Sequence, residues 1–215
     1  MIVEEIMVKE VHSIQKDCTI KEAIELMDKY KIRHLPIVDN NENLVGIITE
    51  RDLKGITIAQ LQQEAKSEVL NLPVEEVMEK DPLTGHPLDF IEDIALLFYE
   101  KKIGCLPIVK KGKIVGIVTG TDLLRAFIEL TGVHQPGSQI EIRVRNKPGM
   151  LFKILSDIQN CKVNILSVFV YPDLRDEDYK IVALRIQTMN PLSLIEILET
   201  EGHEVLWPNL PGMEA

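Results

Sequence analysis

The stretch Leu44-Val45-Gly46-Ile47-Ile48-Thr49-Glu50-Arg51-Asp52 returns 70 residues later as Ile114-Val115-Gly116-Ile117-Val118-Thr119-Gly120-Thr121-Asp122. Just upstream, Leu35-Pro36-Ile37-Val38 returns as Leu106-Pro107-Ile108-Val109, displaced by 71, and Ile6-Met7 matches Val77-Met78, again by 71. The one-residue difference falls in a turn, where Asp39-Asn40-Asn41-Glu42-Asn43 shortens to Lys110-Lys111-Gly112-Lys113. A unit of this length written twice is a supersecondary motif that buries its apolar face against its copy.

Each copy reads in the same order. An amphipathic helix comes first, with Ile20, Ala23, Ile24 and Met27 at helical spacing ahead of Ile32, echoed by Ile91, Ile94, Leu97 and Phe98 ahead of Ile103. Two β-branched runs around an Asn- or Gly-containing turn make a hairpin. A second helix opens at Arg51-Asp52-Leu53, or at Asp122-Leu123-Leu124. Gly55 to Leu72 holds no proline and predicts a connecting helix that stops before Pro73.

The corner where strand meets helix carries the chemistry. A helix that starts directly after Thr49 presents unpaired N–H groups at its positive end, which suits an anion. Thr49 adds a hydroxyl donor and Arg51 a forked guanidinium for phosphate oxygens. Asp52 offers two acceptors for vicinal ribose hydroxyls, and Ile37 and Ile47 offer apolar walls for a flat base. Together these describe a nucleotide pocket without a catalytic group. Thr-x-x-Asp is also the spacing of a capping box, so the same residues fit a purely structural role. The copies are unequal: Thr121 stands where the first copy has Arg51, which favours phosphate at the first corner and a nucleoside-like ligand, or none, at the second. Arg125, four residues after Thr121, is a candidate to compensate.

This order, with the Thr-x-x-Asp endings and the His34-Leu35-Pro36 and Cys105-Leu106-Pro107 strand entries, resembles a tandem pair of CBS motifs, a Bateman module, over roughly Met1 to Leu130. The resemblance implies an adenine nucleotide (AMP, ADP, ATP or related) as a regulatory ligand, with no cofactor required. It implies further cleft residues at the start of each motif, Ser13 and Thr84, and base contacts along the backbone beside His34, Pro36, Cys105 and Pro107. Thr49, Arg51, Asp52, Thr119, Thr121 and Asp122 complete the set. The His34 side chain fits packing as readily as a ligand role.

After Leu130 a turn-rich run, Thr131 to Ser138, reads as a linker. An alternating strand, Ile140 to Val144, then leads through Asn146-Lys147-Pro148-Gly149 into a helix with Leu151, Ile154, Leu155 and Ile158 on one face. Strands follow at Asn164 to Tyr171 and Tyr179 to Ile186, around an acidic loop, Pro172 to Asp178, whose charge reads as simple solvation. A helix from Pro191 to Gly202 and a strand from His203 to Trp207 end the pattern. The βαββαβ order is ferredoxin-like. With Asn-x-Pro-Gly after the first strand and Val163-Asn164-Ile165 entering the second, Ser138 to Pro208 resembles an ACT domain. That implies an amino-acid-like effector held at a subunit interface by Asn146, Pro148, Gly149 and Asn164. Val144 stands where serine-binding members carry a histidine, and Pro148-Gly149 also fits a plain helix-entry turn.

The fold class expected is therefore α+β, with CBS motifs over 1–72 and 73–132 and an ACT domain over 138–210. That combination resembles an acetoin-utilisation family, which implies a non-catalytic role in acetoin or butanediol catabolism. With 24 basic and 34 acidic residues the net charge is −10, and neither side of Pro136 is basic, which opposes nucleic-acid binding. The acidic start Met1 to Ile6 does not suit a signal peptide, and no apolar run approaches a membrane span. Cys18, Cys105 and Cys161 are odd in number and far apart, as expected of reduced thiols in the cytoplasm. No GxSxG, HExxH or Walker pattern occurs, and the histidines lack metal-ligand spacing, so neither a catalytic nor a metal site is expected. A ligand-free scaffold with degenerate clefts is the competing reading. Both module types usually pair, so a homodimer or larger assembly and an unidentified regulated protein are expected.

Overall fold

A computed structural model of the chain describes residues 1–61 and 69–208. The chain divides into two compact units, Met1–Leu124 and Arg125–Ala215. Of the connecting helix expected over Gly55 to Leu72, residues 62–68 lie outside the described ones.

In the first unit, helix α1 (Val3–Ile6) precedes strand β1 (Ile14–Gln15), helix α2 (Ile20–Tyr30), strands β2 (His34–Val38) and β3 (Leu44–Thr49) and helix α3 (Glu50–Leu61). Helix α2 begins where the sequence dictates. The Thr19 N–H donates to Glu22 Oε2 at 2.7 Å and the Glu22 N–H to Thr19 Oγ1 at 3.2 Å, a reciprocal cap. Its buried stripe, Ile20, Ala23 and Met27, packs with Leu35, Ile37 and Ile48 of the hairpin. The second copy, preceded by strand β4 (Glu79–Lys80), runs through helix α4 (Ile91–Lys101), strands β5 (Cys105–Lys110) and β6 (Lys113–Thr119) and helix α5 (Gly120–Thr131), in which the division between units falls.

The two copies exchange their closing segments. β1 pairs parallel with β2, β2 antiparallel with β3, and β3 with β4, which comes from the stretch ahead of the second copy. Around β5 and β6 the same pattern is reduced to single bridges: Gly85 beside Ile108 in parallel, and Val8 beside Ile117 antiparallel. The Val8 N–H donates to Ile117 O and the Ile117 N–H to Val8 O, both at 3.0 Å. Each half-sheet is thus completed by residues that precede the other copy, so neither copy closes its sheet alone.

The second unit follows strand β7 (Ser138–Arg145), helix α6 (Met150–Ile158), strands β8 (Ile165–Pro172) and β9 (Tyr179–Ile186), helix α7 (Leu192–Thr200) and strand β10 (Glu204–Trp207). The sheet order is β10-β7-β9-β8, antiparallel throughout, which is the ferredoxin-like arrangement. Ile140, Ile142 and Val144 alternate into a core with Val182, Leu184 and Ile186 and with Ile154, Ile158, Leu194 and Leu198 of the two helices. His203 Nε2 lies 2.7 Å from Asp157 Oδ2 and ties the entry of β10 to α6.

One expectation is corrected. The acidic loop Pro172 to Asp178 is not merely solvated. Arg143 Nε donates to Asp173 Oδ2 at 2.7 Å and Nη2 to Asp176 Oδ2 at 3.4 Å, while the Arg143 guanidinium lies 3.8 Å from the Tyr179 ring centre. A guanidinium fork gathers several carboxylates at once, so part of the charge run is structural.

Candidate functional site

β3 passes straight into α3, and β6 into α5, so each strand delivers a threonine to the first turn of a helix. At the first corner the Thr49 N–H and Oγ1 both donate to Asp52 Oδ2, at 2.9 and 2.7 Å, and the Asp52 N–H donates to Thr49 Oγ1 at 3.3 Å. The second corner repeats the first two of these bonds, with the Thr119 N–H and Oγ1 donating to Asp122 Oδ2 at 2.9 and 2.6 Å. The Glu50 N–H donates to Arg33 O at 2.9 Å.

These bonds correct the expectation of an open helix end. An unpaired N–H finds the nearest acceptor, and here the chain supplies one. The Thr49 hydroxyl has a single proton, and it goes to Asp52 rather than standing ready for a phosphate. What the cap leaves over is the Arg51 N–H and the second Asp52 oxygen, which take none of these bonds.

Both corners face one cleft of about 1410 Å³ between the two copies. Of the residues expected from the sequence, it is lined by His34, Thr49, Arg51 and Asp52 on one side and by Cys105, Pro107, Thr119, Thr121 and Asp122 on the other. Ser13 and Thr84 are exposed and Pro36 is buried in β2 opposite Ile47; none of the three lines the cleft, nor does Arg125.

Residues that the sequence reading passed over sharpen the charge contrast. The first corner adds Lys31 and Arg33, the second Lys102 and Gly104. Lys31 and Lys102 both cap their helices in the left-handed region, φ 55° and 54°. Their 71-residue displacement was the signal available in the sequence. Arg33 and Arg51 therefore correspond to Gly104 and Thr121 in the other copy, so the first corner is the cationic one. Lys54, also at the first corner, is tied to Glu50 at 2.6 Å, which holds the Glu50 carboxyl below its usual range.

His34 reaches across the cleft: a β-carbon on Gly104 would stand 3.1 Å from its Nε2. Burial pushes the His34 imidazole below its usual pKa and Arg33 adds to this, with Asp52 opposing. The Cys105 thiol is pushed up to about 12 by burial, reinforced by Glu79. It is a neutral apolar wall, not a nucleophile. Among the described residues no cluster of His, Cys, Asp and Glu could hold a metal ion.

A model for the CBS domain matches residues 3–56 and 74–129, just over half of the chain. The chain belongs to the CBS domain family. The two corners are thus the strand-to-helix ends of a CBS pair. The pair is 34% identical over 143 residues to a CBS domain-containing protein of Dictyostelium discoideum, a match that takes in 64% of this chain and 99% of that one. It is 39% identical over 124 residues to the inosine-5'-monophosphate dehydrogenase of Methanocaldococcus jannaschii, where it spans 57% of this chain but 23% of the enzyme. Among solved structures, CBSX2 in complex with AMP aligns with a TM-score of 0.52 at 30% identity, over 59% of this chain and 96% of that one. The Vibrio cholerae protein assigned as the acetoin utilization protein AcuB aligns at 0.56 and 34%, over 62% and 96%. The CBS pair of MJ0100, solved with 5'-methylthioadenosine and S-adenosyl-L-methionine, aligns at 0.51 and 31%, over 59% and 95%.

In the second unit, Asn146, Pro148 and Gly149 are exposed after β7, with Gly149 at φ 88° heading α6. Asn164 precedes β8 at the other end of the sheet, because Ile165 and Ser138 both pair with Ile186 while Arg145 pairs with Tyr179. At about 3.4 Å per residue the two asparagines stand roughly 30 Å apart along the sheet. They do not converge within one chain. Among the described residues, no helix is long and apolar enough to cross a membrane.

Proposed function

We propose that the chain is a non-catalytic sensor whose cleft takes AMP, ADP, ATP or a related adenosine compound. The observation that carries this reading is the pair of Thr-x-x-Asp corners facing one cleft, with a free amide, a free carboxylate oxygen and two arginines at the first of them. The ligands named for CBSX2 and MJ0100, AMP and the two adenosine sulfur compounds, support the same ligand class. Arg33, Arg51 and the Arg51 N–H hold the phosphate, Asp52 the ribose, and the walls beside His34, Cys105 and Pro107 the base. Thr119, Thr121 and Asp122 form a second subsite with little affinity for phosphate.

The proposal extends to the rest of the chain. CBS motifs occupy 1–72 and 73–132, and 138–210 is an ACT-type module, a reading supported by its βαββαβ order and sheet order. An amino-acid-like effector held by both Asn146 and Asn164 needs one residue from each of two chains, which supports a homodimer or larger assembly. Likeness to the AcuB structure supports a role in acetoin or butanediol catabolism, in the cytoplasm, through a protein partner still to be identified. Ligand acts by population shift: it binds one arrangement of the paired chains better, and the partner reads the difference. At ~100 times its dissociation constant a ligand contributes about 2.7 kcal/mol, enough to move such an equilibrium.

A second reading, a scaffold with empty clefts, is favoured by the hydrogen bonds that tie Thr49 to Asp52 and Thr119 to Asp122. Native mass spectrometry of the purified protein separates them. An adenine compound carried through purification supports the sensor, and an unliganded mass that ignores added AMP supports the scaffold.

A further inference from the structure

The second unit carries a cavity that none of these roles uses. It holds about 400 Å³, a usual size for a small-molecule pocket, and lies beside β8 and β9 under the linker. Its walls are Phe127, Val133, Phe169 and Tyr171. The hollow exists because Ala183, in the strand next to β8, pairs with Phe169 and offers only a methyl group.

Its frame is built. Arg185 Nε donates to Gly132 O at 2.9 Å and Nη2 to Gln135 O at 2.8 Å and to Val133 O at 3.4 Å. Ser167 Oγ donates to Thr131 O at 2.8 Å. The linker is therefore pinned over the sheet. All the acceptors around Arg185 are neutral carbonyls, Nη1 takes none of these bonds, and no carboxylate among the described residues is paired with it. Glu141 is engaged elsewhere, by the Gln139 amide at 2.8 Å and by the Tyr171 hydroxyl. A half-buried guanidinium beside apolar walls, with its charge uncompensated, favours an anion that brings its own hydrocarbon.

We infer that this pocket binds a small carboxylic acid with an aromatic or branched aliphatic body, its carboxylate on Arg185 and its hydrocarbon against Phe127, Val133 and Phe169. The site is separate from the CBS cleft and from the Asn146–Gly149 loop, and stands whether or not either binds a ligand.

The test is titration of the full chain with phenylacetate and 4-methylpentanoate, with phenylacetamide as the neutral control, followed by calorimetry and by methyl NMR. The expected result is saturable binding of an acid, one per chain, with shifts at the Val133 and Ala183 methyls and the amide roughly 10-fold weaker. Ala183→Leu fills the hollow, keeps Arg185 and should abolish binding; Arg185→Gln should make acid and amide equal. Folding of both is checked by circular dichroism, and the wild-type methyl shifts decide the matter if either variant fails to fold. No saturation by either acid at millimolar concentration, equal binding of acid and amide, shifts confined to other methyls, or a second copy covering the face each overturns the inference.

Discussion

The Met78 thioether occupies the place that a β-carbon on Gly46 would take. Its counterpart does the same in the other copy, where Met7 covers Gly116, so the 71-residue echo of Ile6-Met7 in Val77-Met78 is a packing rule. The closing segment of each CBS motif lies on a glycine of the other, and these close approaches hold the exchanged sheets together.

Gly116→Ala is expected to destabilise the chain by about 1–3 kcal/mol through overpacking. Swinging the Met7 sulfur aside gives no relief, since Met7 Cγ and Cβ stand 2.9 and 3.2 Å from the added carbon. Urea unfolding measures the loss, and adding Met7→Ala in the same chain should return part of it. Full additivity of the two substitutions would contradict the contact.

Much of this fold was legible in the sequence because the repeat states it twice. Helix spacing, turns and the strand-to-helix corners are local, and both copies agree on them. The exchange was not legible: Val8 bridging Ile117 and β4 pairing with β3 are non-local choices that no spacing records. At the site, the Thr and Asp positions followed from the motif. Arg33 did not, because its part is played by its own backbone carbonyl, which accepts from the Glu50 N–H, and by a side chain outside the motif. Asn146 and Asn164 read as one group in sequence, yet the parallel course of β7 and β8 sets them at opposite ends.

The charge contrast between the corners predicts a split in ligand preference. Arg51→Ala should weaken AMP roughly 10- to 100-fold, the worth of a charge-assisted hydrogen bond, and leave adenosine nearly unchanged. Thr121→Arg should raise AMP stoichiometry by giving the second corner the missing guanidinium. Calorimetry with both ligands checks each. Equal losses for AMP and adenosine in Arg51→Ala would place the phosphate elsewhere.

The second unit should be acid-sensitive through Asp173. The Arg175 N–H and the Arg143 guanidinium hold its carboxyl below the usual range. A carboxyl depressed in the folded state stabilises fully above its unfolded pKa of about 4, and that stability is lost as pH falls from there through the folded value. Asp173→Asn should therefore be less stable than wild type at pH 7, with the gap closing at low pH. A gap that does not change with pH would show that the ion pair carries no such role.

Leu96 and Tyr99 on α4 are 55% and 83% exposed, an apolar face that a paired assembly would cover. Light scattering of the wild type should give a dimer or larger, and Tyr99→Glu should lower the mass. A wild-type monomer, with and without ligand, would contradict the paired sensor.

Titration calorimetry with AMP, ADP, ATP, 5'-methylthioadenosine and S-adenosyl-L-methionine, on wild type and on Asp52→Ala, addresses the central claim most directly. A sensor of adenosine compounds gives saturable heat with at least one of them, and a loss of about tenfold or more in Asp52→Ala while circular dichroism stays native. Flat titrations for all five, or an affinity that ignores Asp52→Ala, would contradict it.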